Sequence, residues 1–170
     1  MTTTTATTPR IYVACLSSYV AGKLYGTWID CDQDADDIRA EIAEMLKASP
    51  EDAEEYAIHD FEGWCGLSIG EHEDIEKLSA LACLADTHGA HVLGLASLHG
   101  LEYHTPESLK EAVEFRYQGY FWSVETYAYD YASSMGEIPD WVEPYVDYER
   151  FGRDLLTNDF DTVDDPKGGF

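Results

Sequence analysis

Thirteen carboxylates lie between Asp30 and Glu62, against only Arg39 and Lys47, a net charge of −11 over 33 residues. Such a density of one sign works against compaction, because the carboxylates repel one another. The stretch opens with Asp30, Asp32, Asp34, Asp36 and Asp37, and continues through Glu41, Glu44, Glu51, Asp52, Glu54 and Glu55. Three uses are open to it: a metal loop, a solvated face, or a surface offered to a basic partner.

The rest of the chain limits the choice. Of its 170 residues, 45% are hydrophobic, enough material for a core, which excludes disorder throughout. The formal charge is −24, from 34 acids and 10 bases. That sign repels nucleic acid and anionic membranes, so the expected partner is cationic. No run approaches the roughly 20 apolar residues of a membrane span. The threonine-rich start, Met1 to Thr8, has neither the basic nor the apolar region of a signal peptide, so a cytoplasmic location is expected. Cys15, Cys31, Cys65 and Cys83 form no CxxC pair and are read as reduced thiols.

Periodicity places the elements. Ile11 to Leu16 and Lys23 to Asp30 read as paired strands, with Ser17 to Gly22 as a loop between them. From Asp36 to Lys47 the period becomes helical, with Ile38, Ile42, Met45 and Leu46 on one face. Ser49-Pro50 stops that helix, and Tyr56 to Phe61 reads as a third strand. Residues 1–62 thus form an N-terminal α+β domain of a small sheet plus a helix. Residues 63–103 read as a helical middle domain, with helices over Glu71 to Asp86 and Ala90 to Leu98. Residues 104–170 form a C-terminal α+β domain. It opens on a Thr105-Pro106 helix start and carries a strand over Tyr117 to Trp122. A helix capped by Ser123 follows, and another begins near Asp147.

Three chemical motifs can be weighed against plainer readings. Asp30 to Glu41 imitates a calcium loop, with alternating aspartates and a glutamate in the twelfth place. A calcium-binding module is therefore the alternative function. Against it, Ala35 stands where the turn wants glycine, and a strand precedes the loop. A strand end running into an acid-capped helix accounts for the same residues. Gly66-Leu67-Ser68-Ile69-Gly70 matches the nucleophile elbow, but no histidine lies beyond His104 and the alternating βα pattern is missing. His88 and His91, near Cys83, lack a second ligand pair. No set of residues converges on a reaction, so the chain reads as a non-enzyme without cofactor or metal.

The last third is different in kind. Residues 115–151 hold 12 of the 22 aromatics, yet the bases there, Arg116 and Arg150 with Arg153 just beyond, are outnumbered by acids, which a nucleic-acid platform does not allow. Tyr127, Tyr131, Met135, Trp141, Tyr145 and Tyr148 supply more apolar surface than so short a segment needs, and are read as a homodimer interface. Charge falls into two fields, net −15 over residues 24–76 and −10 over residues 120–165, flanking a middle of −2. The partner-binding carboxylates are read as Asp32, Asp34, Asp36, Asp37, Glu41, Glu44, Glu51, Asp52, Glu54 and Glu55, with Glu125, Asp130, Glu137, Asp140 and Glu143. Duplex DNA carries one charge per about 1.7 Å, so 24 charges correspond to roughly 40 Å of duplex.

The chain resembles the antirestriction protein ArdA family along nearly its whole length. The residues that carry the likeness are Ile11 to Leu16 with Tyr19 and Gly22, then Leu24-Tyr25-Gly26 and Trp28-Ile29-Asp30. Ser49-Pro50, Glu54 to Gly63, and Tyr145 to Leu155 complete it in order and spacing. The resemblance implies a DNA mimic carried on mobile genetic elements, which inhibits type I restriction-modification enzymes by occupying their DNA-binding groove. It implies an elongated chain of three small α+β domains that dimerises through the C-terminal one. The family's antirestriction motif would fall near Glu125 to Glu137.

Overall fold

Three runs rich in β-branched and aromatic residues form the sheet. In the computed structural model, which describes residues 8–51, 53–100, 105–158, 160, 162–163 and 169–170, these are β1 (Arg10–Cys15), β2 (Gly26–Asp30) and β3 (Tyr56–Glu62). The order is β2-β1-β3, antiparallel throughout, with Ile11 opposite Ile29 on one side and Phe61 on the other. Tyr12 faces Asp60 while Val13 faces Ile58, so His59 is an extra residue in β3. Such a bulge bends the strand and turns side chains outward; His59 and Asp60 are both exposed.

Seven α-helices are formed by the described residues. They are α1 (Leu16–Val20), α2 (Ala35–Lys47), α3 (Ile75–His88), α4 (His91–His99), α5 (Pro106–Arg116), α6 (Val124–Met135) and α7 (Tyr148–Asn158). None is long and apolar enough to cross a membrane. The apolar stripe of α2 is buried at Ile38, Ile42 and Met45. That of α3 is buried at Ile75, Leu78, Leu81, Ala82 and Ala85. The predicted caps also form: Ser108 donates its N–H to Thr105 Oγ1 at 3.2 Å, and Thr126 to Ser123 Oγ at 3.2 Å.

The chain divides into two compact units, Met1–Tyr117 and Gln118–Phe170. Within the first, one apolar cluster runs from Ile11 and Ile29 through Trp64 and Leu67 to Leu78, Leu93 and Leu109. The sequence division at 62/63 falls inside that cluster, and the one at 103/104 falls outside the described residues. In the second unit α6 packs on α7, and Phe121, Phe160 and Phe170 close around Tyr127 at ring separations of 5.0, 5.6 and 6.3 Å.

Three local expectations differ from the fold. Ser17 to Gly22 is not all loop, because the Cys15 thiol accepts the Ser18 N–H at 3.4 Å and starts a single helical turn. The third helix begins at Ile75 and not Glu71. The Glu71 carbonyl accepts the Ile58 N–H at 2.9 Å, which ties it to the sheet edge, and Asp74 caps the helix by accepting the Glu76 N–H at 3.0 Å. Tyr117 to Trp122 forms no strand. Gly119, at φ +110°, breaks the extended run, and Phe121 exchanges bonds of 2.9 and 3.0 Å with Phe170.

Candidate partner-binding surface

The core-facing stripe of α2 dictates where its acids go. With Ile38, Ile42 and Met45 inward, Asp36, Asp37, Glu41 and Glu44 are left in water. Asp37 and Glu41 are one turn apart, about 6 Å along the axis. Like charges at that spacing disfavour a helix by a few tenths of a kcal/mol each. Asp34 is the N-cap residue but its carboxylate makes no capping bond, so it remains a solvated charge beside Asp32. The helix dipole offsets part of the repulsion at this end.

Arg39 ties this face to the next helix. Its guanidinium donates to Asp36 at 3.1 Å and to Glu76 at 3.0 Å. The acidic face therefore continues from α2 to the start of α3, where Glu71, Asp74 and Glu76 are all exposed. Sequence reasoning left these three out, because nothing in periodicity tells which helix lies beside α2. The packing of the 31–34 loop adds Asp86: the Ser79 hydroxyl donates to the Gln33 carbonyl at 2.6 Å, fastening the loop to α3. Cys83 reports the field there. Its thiol is pushed up by burial first, and then by the charges of Asp32, Asp34 and Asp86.

The remaining predicted carboxylates of this unit lie around the α2–β3 connection. Glu54 and Glu55 are exposed, Glu51 is half-buried and paired with Lys23 at 2.6 Å, and Asp52 lies outside the described residues. Among the described residues, Asp32, Asp34, Asp37, Glu44, Glu54 and Glu55 form no salt bridge. In the second unit Glu125, Asp130, Glu137, Asp140 and Glu143 are exposed on α6 and the α6–α7 connection.

The six residues read as a dimer interface separate into two groups. Tyr127 is buried inside its own unit, and Tyr131 and Tyr148 are half-buried against Phe151 and Tyr129. Burial, then Glu143 and Tyr129, raise the Tyr148 phenol above its ordinary range. Met135, Trp141 and Tyr145 are exposed by 70%, 77% and 85%.

The discrete-site readings find little geometry. Glu41 Oε1 accepts the Gln33 amide at 2.7 Å, and Gln33 also donates to the Asp30 carbonyl at 2.8 Å. The twelfth-place carboxylate is thus engaged by a neutral side chain. Among the described residues no three His, Cys, Asp or Glu side chains gather as a metal shell. Ser68 is exposed, with β3 ending at Glu62 and α3 starting only at Ile75, so the tight strand-to-helix turn of a nucleophile elbow is missing. His91 stacks on Tyr117 at 4.2 Å.

The family model described as antirestriction protein (ArdA) matches residues 11–166. No curated protein matches the chain.

Proposed function

The chain belongs to the ArdA family of antirestriction proteins, and from that premise we propose that it acts as a DNA mimic. It inhibits a type I restriction-modification enzyme by occupying the basic groove that otherwise holds DNA. The observation that carries this reading is the distribution of the exposed carboxylates. They stand on α2, on the start of α3 and on the α2–β3 connection, fixed to one mainly aliphatic core, and among the described residues they gather into no metal-binding group. Catalysis or metal binding needs convergence. A charge mimic needs the reverse: many charges held at separate, fixed places, so that little ordering entropy is lost on docking.

Within this reading, residues 1–62 and 63–103 supply the acidic face. Residues 104–170 supply a homodimer contact through Met135, Trp141 and Tyr145, as well as a second acidic field. The protein works in the cytoplasm, where the enzyme meets DNA, and turns over no substrate. The test is competition: a purified type I restriction-modification enzyme, its DNA duplex and increasing amounts of this protein. Displacement of DNA that weakens as salt rises is the expected result. Inhibition with the DNA still bound would contradict the reading.

A further inference from the structure

The β1–β2 connection carries apolar side chains where a strongly acidic surface would be expected to be polar. Tyr19, Val20 and Leu24 are exposed by 56%, 86% and 73%. A single exposed apolar residue needs no explanation. Three within six residues of one short connection concentrate apolar surface in the way that marks an interaction site.

The tip is also held still. Ser18 is fully buried, and its hydroxyl lies 3.0 Å from that of Ser49, which in turn lies 3.3 Å from the Cys15 thiol. The Leu16 N–H donates to the Glu55 carbonyl at 3.1 Å, and the Lys23 N–H to the Ser18 carbonyl at 2.9 Å. The Tyr19 ring meets the bulged His59 edge-on at 4.8 Å. These bonds pin the tip against the α2–β3 connection, where Glu51 is paired with Lys23 of the tip itself while Glu54 and Glu55 are exposed and form no salt bridge among the described residues. The result is an apolar knob with an acidic border, ordered before any partner arrives.

We propose that Tyr19, Val20 and Leu24 form an apolar anchor that seats in an apolar pocket of the restriction enzyme bordered by basic residues. The proposal rests on the DNA-mimic reading and adds a second kind of binding to it. The border decides the occupant. Glu54 and Glu55 favour a cationic surround, whereas a second copy of this chain would press its own carboxylates against them. Burial of apolar area does not depend on ionic screening. The anchor therefore holds where salt has weakened the charge contacts, and it behaves as a hot spot within a field of individually weak ones.

The experiment measures competition with DNA for a purified type I restriction-modification enzyme from low to high salt, using the full chain. Three proteins are compared: wild type, Val20→Ser with Leu24→Ser, and Glu54→Gln with Glu55→Gln. Circular dichroism confirms that each is folded. The tip variant should bind about tenfold more weakly at every salt concentration, with an unchanged salt slope. The carboxylate variant should show a shallower slope and approach wild type at high salt. A wild type that competes while the tip variant matches it overturns the anchor alone. So does a tip deficit that vanishes as salt rises, or a tip variant whose sedimenting mass changes while its competition does not. A wild type that fails to compete overturns the DNA-mimic reading and the anchor with it.

Discussion

In the unit Met1–Tyr117 the core is mainly aliphatic, with Trp64 among it: Ile11, Ile29, Leu78 and Leu81 are at most 1% exposed, and the carboxylates described lie outside. In the unit Gln118–Phe170 the buried side chains described are few, chiefly Tyr127, Ala128 and Leu155. Its larger apolar groups, Met135, Trp141 and Tyr145, face water. The first unit carries its charge on a large apolar core, while the second has a smaller buried core and leaves Met135, Trp141 and Tyr145 in water. On the proposed reading, a chain of net charge −24 presents charge over both units and associates with its own copy through the second. Aromatic surface suits the second task, because it buries much area with little loss of rotamer freedom.

The comparison breaks most readily at Gly152. A Cβ there would lie 2.6 Å from both Val124 Cγ1 and the Val124 carbonyl oxygen, and 3.1 Å from Ala128 Cβ. Backbone cannot yield as a side-chain tip can, so α6 and α7 must move apart. Gly152→Val should cost about 1–3 kcal/mol, a large share of what so small a core can supply. Hydrogen-exchange protection should be lost over residues 124–158 and kept over residues 75–88. Equal loss in both would show that the two units share one cooperative core.

A second change tests the reserve of apolar surface. Trp141→Glu with Tyr145→Glu removes two exposed rings and touches no buried one. Self-association measured by sedimentation should weaken at least tenfold, since buried aromatics carry most of an interface's energy. The acidic unit should keep its protection pattern. A wild type that is monomeric at micromolar concentration would contradict the dimer outright.

Cys83 offers the smallest and most local effect. Its raised pKa means less thiolate than an ordinary cysteine at any pH below that value, and so slower alkylation. Asp32→Asn with Asp34→Asn removes two of the charges that add to the effect of burial, so alkylation at pH 8 should become faster. The difference should close as the pH rises through the raised pKa, where both thiols are ionised. Cys31, fully buried and pushed up to about 12 by burial and then by Asp30 and Asp32, should stay unreactive in both proteins.

Much of this was legible in the sequence. The stripe of α2 was, because a residue pattern of period 3.6 states which side is buried. So were the caps at Thr105 and Ser123, which are local chemistry. The start of α3 was not, since the Glu71 carbonyl is claimed by Ile58 from another strand. The acids Glu71, Asp74, Glu76 and Asp86 joined the surface for the same reason: only tertiary packing brings α3 beside α2. Tyr127 and Trp141 looked alike as aromatics, yet one is core and the other is surface. Composition counts apolar groups without saying which of them find partners within their own unit.

Graded neutralisation tests charge mimicry most directly. The measurement is competition with DNA for a purified type I restriction-modification enzyme across salt, with single and grouped variants side by side. Glu41→Gln or Asp32→Asn alone should leave inhibition nearly intact, since one exposed contact among many is worth roughly 0–1 kcal/mol. Asp36→Asn should matter least, because Arg39 already occupies that carboxylate. Neutralising Asp32, Asp34, Asp36, Asp37, Glu41 and Glu44 together should weaken binding stepwise and flatten its salt dependence while the protein stays folded. A single neutral substitution that abolishes inhibition with the fold intact would contradict the distributed field and point to a discrete site.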